Sequence, residues 1–403
     1  MARLGPFEPM PCLAVAVSGG ADSLCLALLA DTWARAQGGV VLALIVDHGL
    51  RVTAADEARH VRHMLGGRGI RARVLVLRDL QAGPGIAARA REARYGALRA
   101  ACLEAGILHL LLGHHAADQA ETVLIRALGR SGAAGMAGMA RIVETPTLRL
   151  LRPLLTQPPG RLRASLRVAG VAWAEDPSNR DATALRPRLR LLRRDREGAG
   201  SAGTALVAAA SAASRQRHAR EIACAAFLAE HVTLRPEGFA ILPDGPVPPD
   251  ALAALARAIS GSVYPPAGAA IAALAVDPRP ATFGGVRLMR WRSRMILLRE
   301  ARAMVPPITA SSGALWDGRF RLRGVLPSSL LHHRLGAVGD AAAGLRHRSK
   351  LPAAVLATLP ALRCGDFLVA VPHLRDPALS TPADVEIWFT PANAAAGAWF
   401  PVD

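Results

Sequence analysis

The sequence has 403 residues, a length typical of roughly two to three domains, and its 51% hydrophobic content is ample for buried cores. The 49 Lys and Arg residues against 31 Asp and Glu give a net charge of +18, which favours a polyanionic partner such as nucleic acid. No apolar run reaches the ~20 residues of a membrane span, the N-terminus lacks the apolar core of a secretory signal, and the five cysteines form no C-x-x-C pair. We therefore expect a cytoplasmic protein with no membrane association, disulfide framework or zinc knuckle.

Up to about Leu155, short apolar strands alternate with helices. The predicted strands are Leu13–Val17, Val40–Val46, Arg73–Leu77 and Ile107–Leu112, and the predicted helices are Ser23–Gln37, Ala54–Leu65, Ile86–Ala105 and Ala116–Leu128. This alternation predicts an α/β fold with a Rossmann-like parallel sheet covered on both faces. Ligands of such sheets bind where strands end and helices begin. Three polar clusters fall at such ends, so we expect a site there: Ser18–Ser23, Asp47–Arg51 and Gly113–Asp118.

The rest of the chain predicts smaller units. The Gly-, Ala- and Ser-rich stretch Gly198–Ser214 predicts a linker that runs into a helix at about Ala205–Leu228. A helix at Ala251–Ile259 and a β-hairpin in FGGVRLMRWRSRMILLRE predict a small, mainly helical α+β domain, and the last segment predicts short strands. We therefore predict a catalytic domain over residues 1–190, a linker helix with a small binding domain over 191–302, and a β-rich C-terminal domain over 303–403.

The loop S-G-G-A-D-S, Ser18–Ser23, has the composition of a phosphate site. Gly19 and Gly20 let backbone N–H groups approach an anion, and Asp22 and Ser23 begin a helix whose N-terminus favours phosphate. No lysine follows the glycines, as the Walker loop would require. An ordinary capped turn between a strand and a helix is the competing interpretation.

Histidines and carboxylates mark the third cluster. His114 and His115 end a strand, and Asp118 and Glu121 share one face of the helix that follows. Favourable acidic residues near a helix N-terminus are the simpler explanation of the carboxylates. The spacing also lacks the H-E-x-x-H pattern of zinc enzymes, which weakens a zinc interpretation.

Two other clusters give weaker signals. Asp47 and His48 end the second predicted strand, where a turn aspartate is the simpler interpretation. Arg91 and Arg94 lie three residues apart on one helix face, next to Tyr95, which is the usual pattern of a solvated arginine face.

These motifs in this order resemble the tRNA(Ile)-lysidine synthetase family of PP-loop ATP pyrophosphatases. The matching strings are S-G-G-x-D-S, V-D-H-G-L-R, A-R-x-A-R-Y, G-H-H-x-x-D-Q-x-E-T, R-P-L-L at Arg152–Leu155 and E-D-x-S-N at Glu175–Asn179. The resemblance covers about Leu13–Arg190 with specific motifs, extends loosely to about Arg302 and is faint beyond. The sequence departs from the family at Ala117, where a second aspartate is common, and at Pro187, where an asparagine is common.

The resemblance implies a ligase that joins L-lysine to the wobble cytidine in the CAU anticodon of tRNA(Ile). ATP would adenylate the cytosine oxygen with release of pyrophosphate, and the lysine amine would then displace AMP. The residues implied to bind ATP are Ser18, Gly19, Gly20, Ala21, Asp22 and Ser23, with Asp22 placing Mg²⁺. The implied catalytic and lysine-binding residues are Asp118, Glu121, Arg91, His115 and His114, with Asp47, His48 and Arg94 as further candidates.

The arginine-dense segment predicts the contact with tRNA phosphates. Its candidate residues are Arg186, Arg188, Arg190, Arg193 and Arg194. The resemblance also implies a tRNA contact for residues 303–403. The alternatives are another PP-loop tRNA-modifying enzyme, although the cysteine pairs of cytidine thiolases are absent, or a non-catalytic basic RNA-binding protein. The oligomeric state is left open.

Overall fold

The computed structural model describes residues 1–49, 54–77, 83, 85–145, 147–174, 185–195, 197–324, 326, 332–374, 377–379 and 385–396. The chain forms two compact units that divide between His218 and Ala219. The three-domain division at residues 190 and 302 stays a prediction. Among the described residues, no helix combines the length and the apolar character that a membrane crossing needs.

The first unit contains a six-stranded sheet and its helices. The strands are β1 (Cys12–Val17), β2 (Val40–Asp47), β3 (Arg71–Val76), β4 (His109–Leu111), β5 (Ile142–Glu144) and β6 (Arg149–Leu151). The helices are α1 (Ala21–Ala36), α2 (Ala54–Gly66), α3 (Ile86–Glu104), α4 (Ala116–Leu128), α5 (Ala133–Met136), α6 (Pro159–Val168) and α7 (Leu185–Arg193). A long helix, α8 (Ser201–His231), contains the boundary between the two units.

The order of the strands, β3-β2-β1-β4-β6-β5, places a reversal beside β1. From β1 the chain adds β2 and β3 on one side and then returns to add β4 on the other, all in parallel. The two loops that follow β1 and β4 therefore leave the sheet next to each other. Such a switch point is where open α/β sheets bind their ligands.

Helices cover the sheet on both faces because its strands are apolar on both sides. Leu13, Val15 and Val17 of β1 belong to a core shared with α1, α2 and α6, and Ala14 belongs to a second core shared with α3. Successive side chains of a strand point to opposite faces, so a continuous apolar run demands two helical layers. The predicted parallel sheet and α/β class are thus confirmed, with element ends within about two residues for most elements.

The second unit is built on antiparallel sheets. Its strands are β7 (Thr233–Arg235), β8 (Phe239–Ile241), β9 (Ala281–Phe283), β10 (Val286–Trp291), β11 (Arg294–Arg299), β12 (Ile308–Thr309), β13 (Leu315–Trp316), β14 (Phe320–Arg323), β15 (Arg334–Ala337), β16 (Pro360–Cys364), β17 (Phe367–Ala370) and β18 (Glu386–Phe389). Its further helices are α9 (Pro249–Ser260), α10 (Gly268–Val276), α11 (Ala342–Leu345) and α12 (Ala353–Thr358). The sheets have the orders β7-β8-β11-β10-β9, β12-β15-β16-β17 and β13-β14-β18.

The predicted hairpin is present as β10 and β11, and the expected strands follow it. Leu297 of β11 packs into the core with α9 and α10, and its neighbours Ile296 and Leu298 face a second core with α12. The helix predicted at about Ala205–Leu228 is present within α8, which begins earlier, at Ser201, so that only Gly198–Gly200 of the predicted linker lie outside the helix. Its alanines and serines are tolerated in a helix, and glycine occurs only in the first turns.

Candidate active site

The loop Ser18–Ser23 lies at the carboxyl end of β1, on the reversal of the sheet. Ser23 stabilises its shape: the Ser23 hydroxyl donates to the carbonyl of Gly20 (3.0 Å) and accepts from the Ser18 amide (3.1 Å). Ser23 is buried, whereas Ser18 is exposed, with its hydroxyl 3.2 Å from that of Ser23. The loop is therefore a preformed turn that leaves the Ser18 hydroxyl at its surface.

The two glycines of the loop differ in what they allow. Gly19 has a φ of +82°, and a Cβ there would approach Val61 Cγ2 to 2.9 Å. Gly20, the N-cap of α1, has an ordinary φ of −76°, and a Cβ would meet only the Ser18 hydroxyl, at 3.6 Å. The fold itself thus requires glycine at residue 19 but not at residue 20. The space above Gly20 is free for a ligand.

Asp22 and His115 connect the two loops at the reversal. Oδ2 of Asp22 lies 3.4 Å from Nε2 of His115, and Oδ1 of Asp22 is buried with no hydrogen-bond partner among the described residues. Burial opposes protonation of His115, but the hydrogen bond with Asp22 and the charges of Asp118 and Asp22 outweigh it, so its pKa is raised. A buried carboxylate oxygen without a partner is suited to a cation.

His115 also begins α4, as its N-cap. Its Nδ1 accepts from the amide of Asp118 (3.4 Å), and Oδ2 of Asp118 accepts from the amide of His115 (3.1 Å). This reciprocal capping explains why a histidine and an aspartate stand three residues apart. In the neutral imidazole an accepting Nδ1 leaves the proton on Nε2, the nitrogen that lies nearest to Asp22.

Arg190 of α7 neutralises the carboxylate pair Asp118 and Glu121. Its Nε donates to Oε1 of Glu121 (2.6 Å), and its NH2 group donates to Oε2 of Glu121 (3.3 Å) and to Oδ1 of Asp118 (3.1 Å). Glu121 is completely buried and the Asp118 side chain is 12% exposed. The helix face predicted from sequence does bring both carboxylates together, and a guanidinium already contacts them.

A set of arginines lies around His114, beside this pair of carboxylates. Burial lowers the pKa of His114 to about 4; Asp118 opposes the change, and Arg152, Arg91 and Arg186 add to it. His114 is therefore neutral near pH 7, and its Nδ1 is buried without a partner among the described residues. Arg152 belongs to the R-P-L-L string but was not predicted as a site residue, because a single arginine gives no spacing signal.

The other predicted residues take different positions. Asp47 ends β2, and its Oδ1 accepts from the amide of Gly49 (2.9 Å), as a turn aspartate does. His48 follows it on the side of β1 away from β4. The Cζ atoms of Arg91 and Arg94 lie 5.1 and 5.6 Å from the centroid of the Tyr95 ring, and Arg91 is exposed. The segments Leu50–Arg51 and Glu175–Asn179 lie outside the described residues.

The arginines predicted to bind tRNA do not form one set. Arg186 and Arg188 are exposed on α7, and Arg194, which follows that helix, is exposed with a φ of +47°. The side chain of Arg193 lies outside the part of the chain that the structure describes. Arg190 differs from the exposed arginines, because its guanidinium donates to Glu121 and Asp118, whereas its binding to tRNA stays a prediction. Sequence spacing could not separate it from its neighbours.

The fold, the reversal beside β1 and the loop define a PP-loop protein, and residues 3–194 match the model of the PP-loop domain. The tRNA(Ile)-lysidine synthase of Ruegeria pomeroyi is 36% identical over 379 residues, which cover 91% of this chain and 89% of that protein. The chain therefore belongs to the tRNA(Ile)-lysidine synthase family.

Other relatives align over the first half of the chain. The tRNA(Ile)-lysidine synthase of Bradyrhizobium diazoefficiens is 42% identical over 218 residues, which cover 54% of this chain and 60% of that protein. The chain thus spans about 60% of the length of the Bradyrhizobium relatives that it matches. Among solved structures, a U34-tRNA thiolase of Methanococcus maripaludis aligns with a TM-score of 0.44 and 16% identity over 53% of this chain and 76% of that chain. That likeness is too low to bear on function.

Proposed function

We propose that this protein joins L-lysine to the wobble cytidine of a tRNA(Ile) with a CAU anticodon, at the expense of ATP. The observation that carries the proposal is the meeting of the Ser18–Ser23 loop with the His114–Glu121 segment at the sheet reversal, in a member of this family. The cytosine oxygen is a poor leaving group. Adenylation turns it into a good one, which the lysine amine can then displace with release of AMP.

The loop binds the ATP phosphates through its backbone amides and the N-terminus of α1. The unpartnered Oδ1 of Asp22 fits Mg²⁺, because the ion prefers oxygen ligands and is bound by one or two carboxylates together with substrate phosphates. When bound, Mg²⁺ supplies positive charge that offsets the charge on the phosphates. His115 holds the other oxygen of Asp22, so the carboxylate is oriented before any ligand arrives.

The lysine ammonium binds at the carboxylates of Asp118 and Glu121. Together they carry two negative charges against the single charge of Arg190, so a second cation is electrostatically favoured there. Asp118 is the more accessible of the two and we assign it the first contact with the amine. Binding of the amine requires Arg190 to share or give up its place.

The exposed arginines Arg186, Arg188 and Arg194 contact tRNA phosphates, consistent with the net charge of +18. Phosphate contacts position the tRNA without reading its sequence, so the choice of the CAU anticodon depends on contacts to bases.

The test is a two-label assay with ATP and lysine on a tRNA(Ile) transcript that carries CAU. We expect pyrophosphate release and lysine in the wobble nucleoside, and no lysine transfer to a transcript with uridine at that position. The Asp22→Asn variant should fold and release little pyrophosphate. Adenylation without lysine transfer would point to another PP-loop tRNA-modifying reaction, and tRNA binding without pyrophosphate release would support a non-catalytic RNA-binding protein.

A further inference from the structure

Arg152 is a buried cation that the reaction proposed above does not use. It follows β6 directly, at the same sheet edge as the end of β4, and it is 9% exposed. Its NH1 group donates to the carbonyl of Ala140 (2.7 Å), and the side chain of Tyr95 lies near it. Its Nε is buried without a partner among the described residues. A buried guanidinium N–H without an acceptor is costly, so the site is suited to an anion.

The surroundings of Arg152 are cationic or neutral. Arg152 and the exposed Arg91 both lower the pKa of His114, whose buried Nδ1 also has no partner among the described residues. Asp118, the carboxylate that acts on His114, already accepts hydrogen bonds from Arg190 and His115. An excess of positive charge therefore lies directly beside the carboxylate pair.

We propose that Arg152, with Arg91 and His114 beside it, binds the α-carboxylate of the lysine substrate. The inference rests on the proposed function and deepens it. Lysine is a zwitterion with a second ammonium group, so a site that selects it must counter an anion as well as a cation. Arg152 and Asp118 provide the two opposite charges at neighbouring strand ends of one sheet.

A tRNA phosphodiester has similar anion chemistry, but burial favours the smaller carboxylate. Arg152 is held by the Ala140 carbonyl, and its unpartnered Nε–H is buried, which favours a small anion over a polymer backbone. A nucleic-acid backbone would contact exposed arginines such as Arg186 and Arg188. A guanidinium also matches the planar geometry of a carboxylate.

The experiment compares L-lysine with cadaverine, which keeps the amine and lacks the carboxylate, as acceptors in the two-label assay. For Arg152→Gln we expect KM for lysine to rise about 10- to 100-fold, as for the loss of a charged hydrogen bond. The preference for lysine over cadaverine should fall by the same factor. Adenylation of tRNA without lysine should be unchanged. Arg152→Lys keeps the charge and should retain part of the preference.

Arg126→Gln is the matched control for folding. Arg126 donates to the carbonyls of Gly135 and Gly138, and Arg152 donates to the carbonyl of Ala140 in the same segment between α4 and β5. Arg126 is not among the residues proposed to contact a substrate. The Arg126→Gln variant should prefer lysine over cadaverine to the same degree as the wild type. If Arg152→Gln lowers the melting temperature more than Arg126→Gln, the comparison is made with Arg152→Lys.

An unchanged preference for lysine over cadaverine in the Arg152 variants would overturn the proposal. A change in tRNA affinity and in its salt dependence, with an unchanged preference, would overturn it in favour of a phosphodiester. If the wild type adenylates no tRNA, the proposed function fails instead, and that outcome is recognised before any variant is compared.

Discussion

The guanidinium of Arg190 donates from Nε to Oε1 of Glu121 over 2.6 Å, across 69 residues of sequence. Glu121 is fully buried, and Arg190 also contacts Asp118, so one cation holds both carboxylates in place. The arrangement indicates that an internal cation occupies the position proposed for the lysine ammonium. Lysine binding would then compete with Arg190.

Replacing Arg190 by alanine should leave the two carboxylates without their main counter-charge. We expect a lower melting temperature, because a buried carboxylate without a partner is unfavourable. We also expect lysine to raise the melting temperature more in the variant than in the wild type, because its ammonium can take the vacated place. Arg188→Ala, on the exposed side of the same helix, is the control. An equal or smaller lysine effect in Arg190→Ala would place lysine elsewhere.

The two glycines of the loop should respond differently to alanine. Gly19→Ala should lower the melting temperature, since its φ of +82° is strained for alanine and its Cβ would meet Val61. Gly20→Ala should leave the melting temperature unchanged and reduce pyrophosphate release about tenfold or more, an effect of about 1.4 kcal/mol on the barrier. Normal pyrophosphate release by a folded Gly20→Ala variant would refute a phosphate site above Gly20.

The adjacent histidines should give opposite pH dependences. The pKa of His115 is raised in the folded protein, so protonation of this residue stabilises the fold. This stabilisation is complete below about pH 6.5, the pKa of histidine in the unfolded chain, and is lost as the pH rises through the folded-state pKa. For His114, whose pKa is lowered to about 4, the unfolded chain takes up the proton first. Stability is therefore lost as the pH falls from about 6.5 to about 4, by at most about 1.4 kcal/mol per pH unit.

NMR titration of the histidines in the wild type measures the pKa values of His114 and His115, and the variants His114→Gln and His115→Asn assign the two resonances. Asparagine keeps an acceptor at the N-cap of α4, so this variant removes the titration and retains the cap. When the pH is lowered to about 5, the melting temperature of the wild type should fall more than that of His114→Gln, because glutamine does not titrate. A pKa of His114 above that of His115 would contradict this prediction.

The exposed arginines of the α7 region should determine the salt dependence of tRNA binding. Each lost phosphate contact should reduce the slope of log affinity against log salt by about 0.7 to 0.9. Arg186→Ala, Arg188→Ala and Arg194→Ala should each do so and weaken binding to any tRNA alike. Arg35→Ala removes an exposed arginine paired with Asp31 and should leave the slope unchanged. A wild-type slope in all three variants would show that these arginines are only solvated.

In the second unit, Asp317 should be essential for folding. Its buried carboxylate accepts from Arg299 at 2.8 and 2.9 Å and from the fully buried Arg319 at 2.8 Å. Asp317→Asn would leave two buried guanidinium groups without their anion, which should cost about 3–5 kcal/mol of folding free energy. Thermal unfolding measures the effect. Asp277→Asn breaks an exposed pair with Arg279 and should unfold as the wild type does.

Local sequence signals predicted the first unit well for a physical reason. A continuous apolar run such as Leu13–Val17 can only be a strand buried on both faces, and the glycines after it mark the turn to a helix. The shared helix face of Asp118 and Glu121 also follows from helical spacing alone. Alanine-rich segments are less informative, and the stretch after Gly198 was therefore predicted as a linker although it begins a helix.

The sequence alone determined the α/β class, the glycine turn Ser18–Ser23 between a strand and a helix, and the carboxylate pair, because each depends on residues close together in the chain. Only the tertiary structure decided which distant groups meet them. His115 reaches Asp22 because β4 is placed beside β1, and Arg152 reaches His114 because β6 pairs with β4. Arg190 differs from its neighbouring arginines in what it faces, not in its spacing. Long-range charge pairing is fixed by strand order and helix packing, which no local pattern of residues encodes.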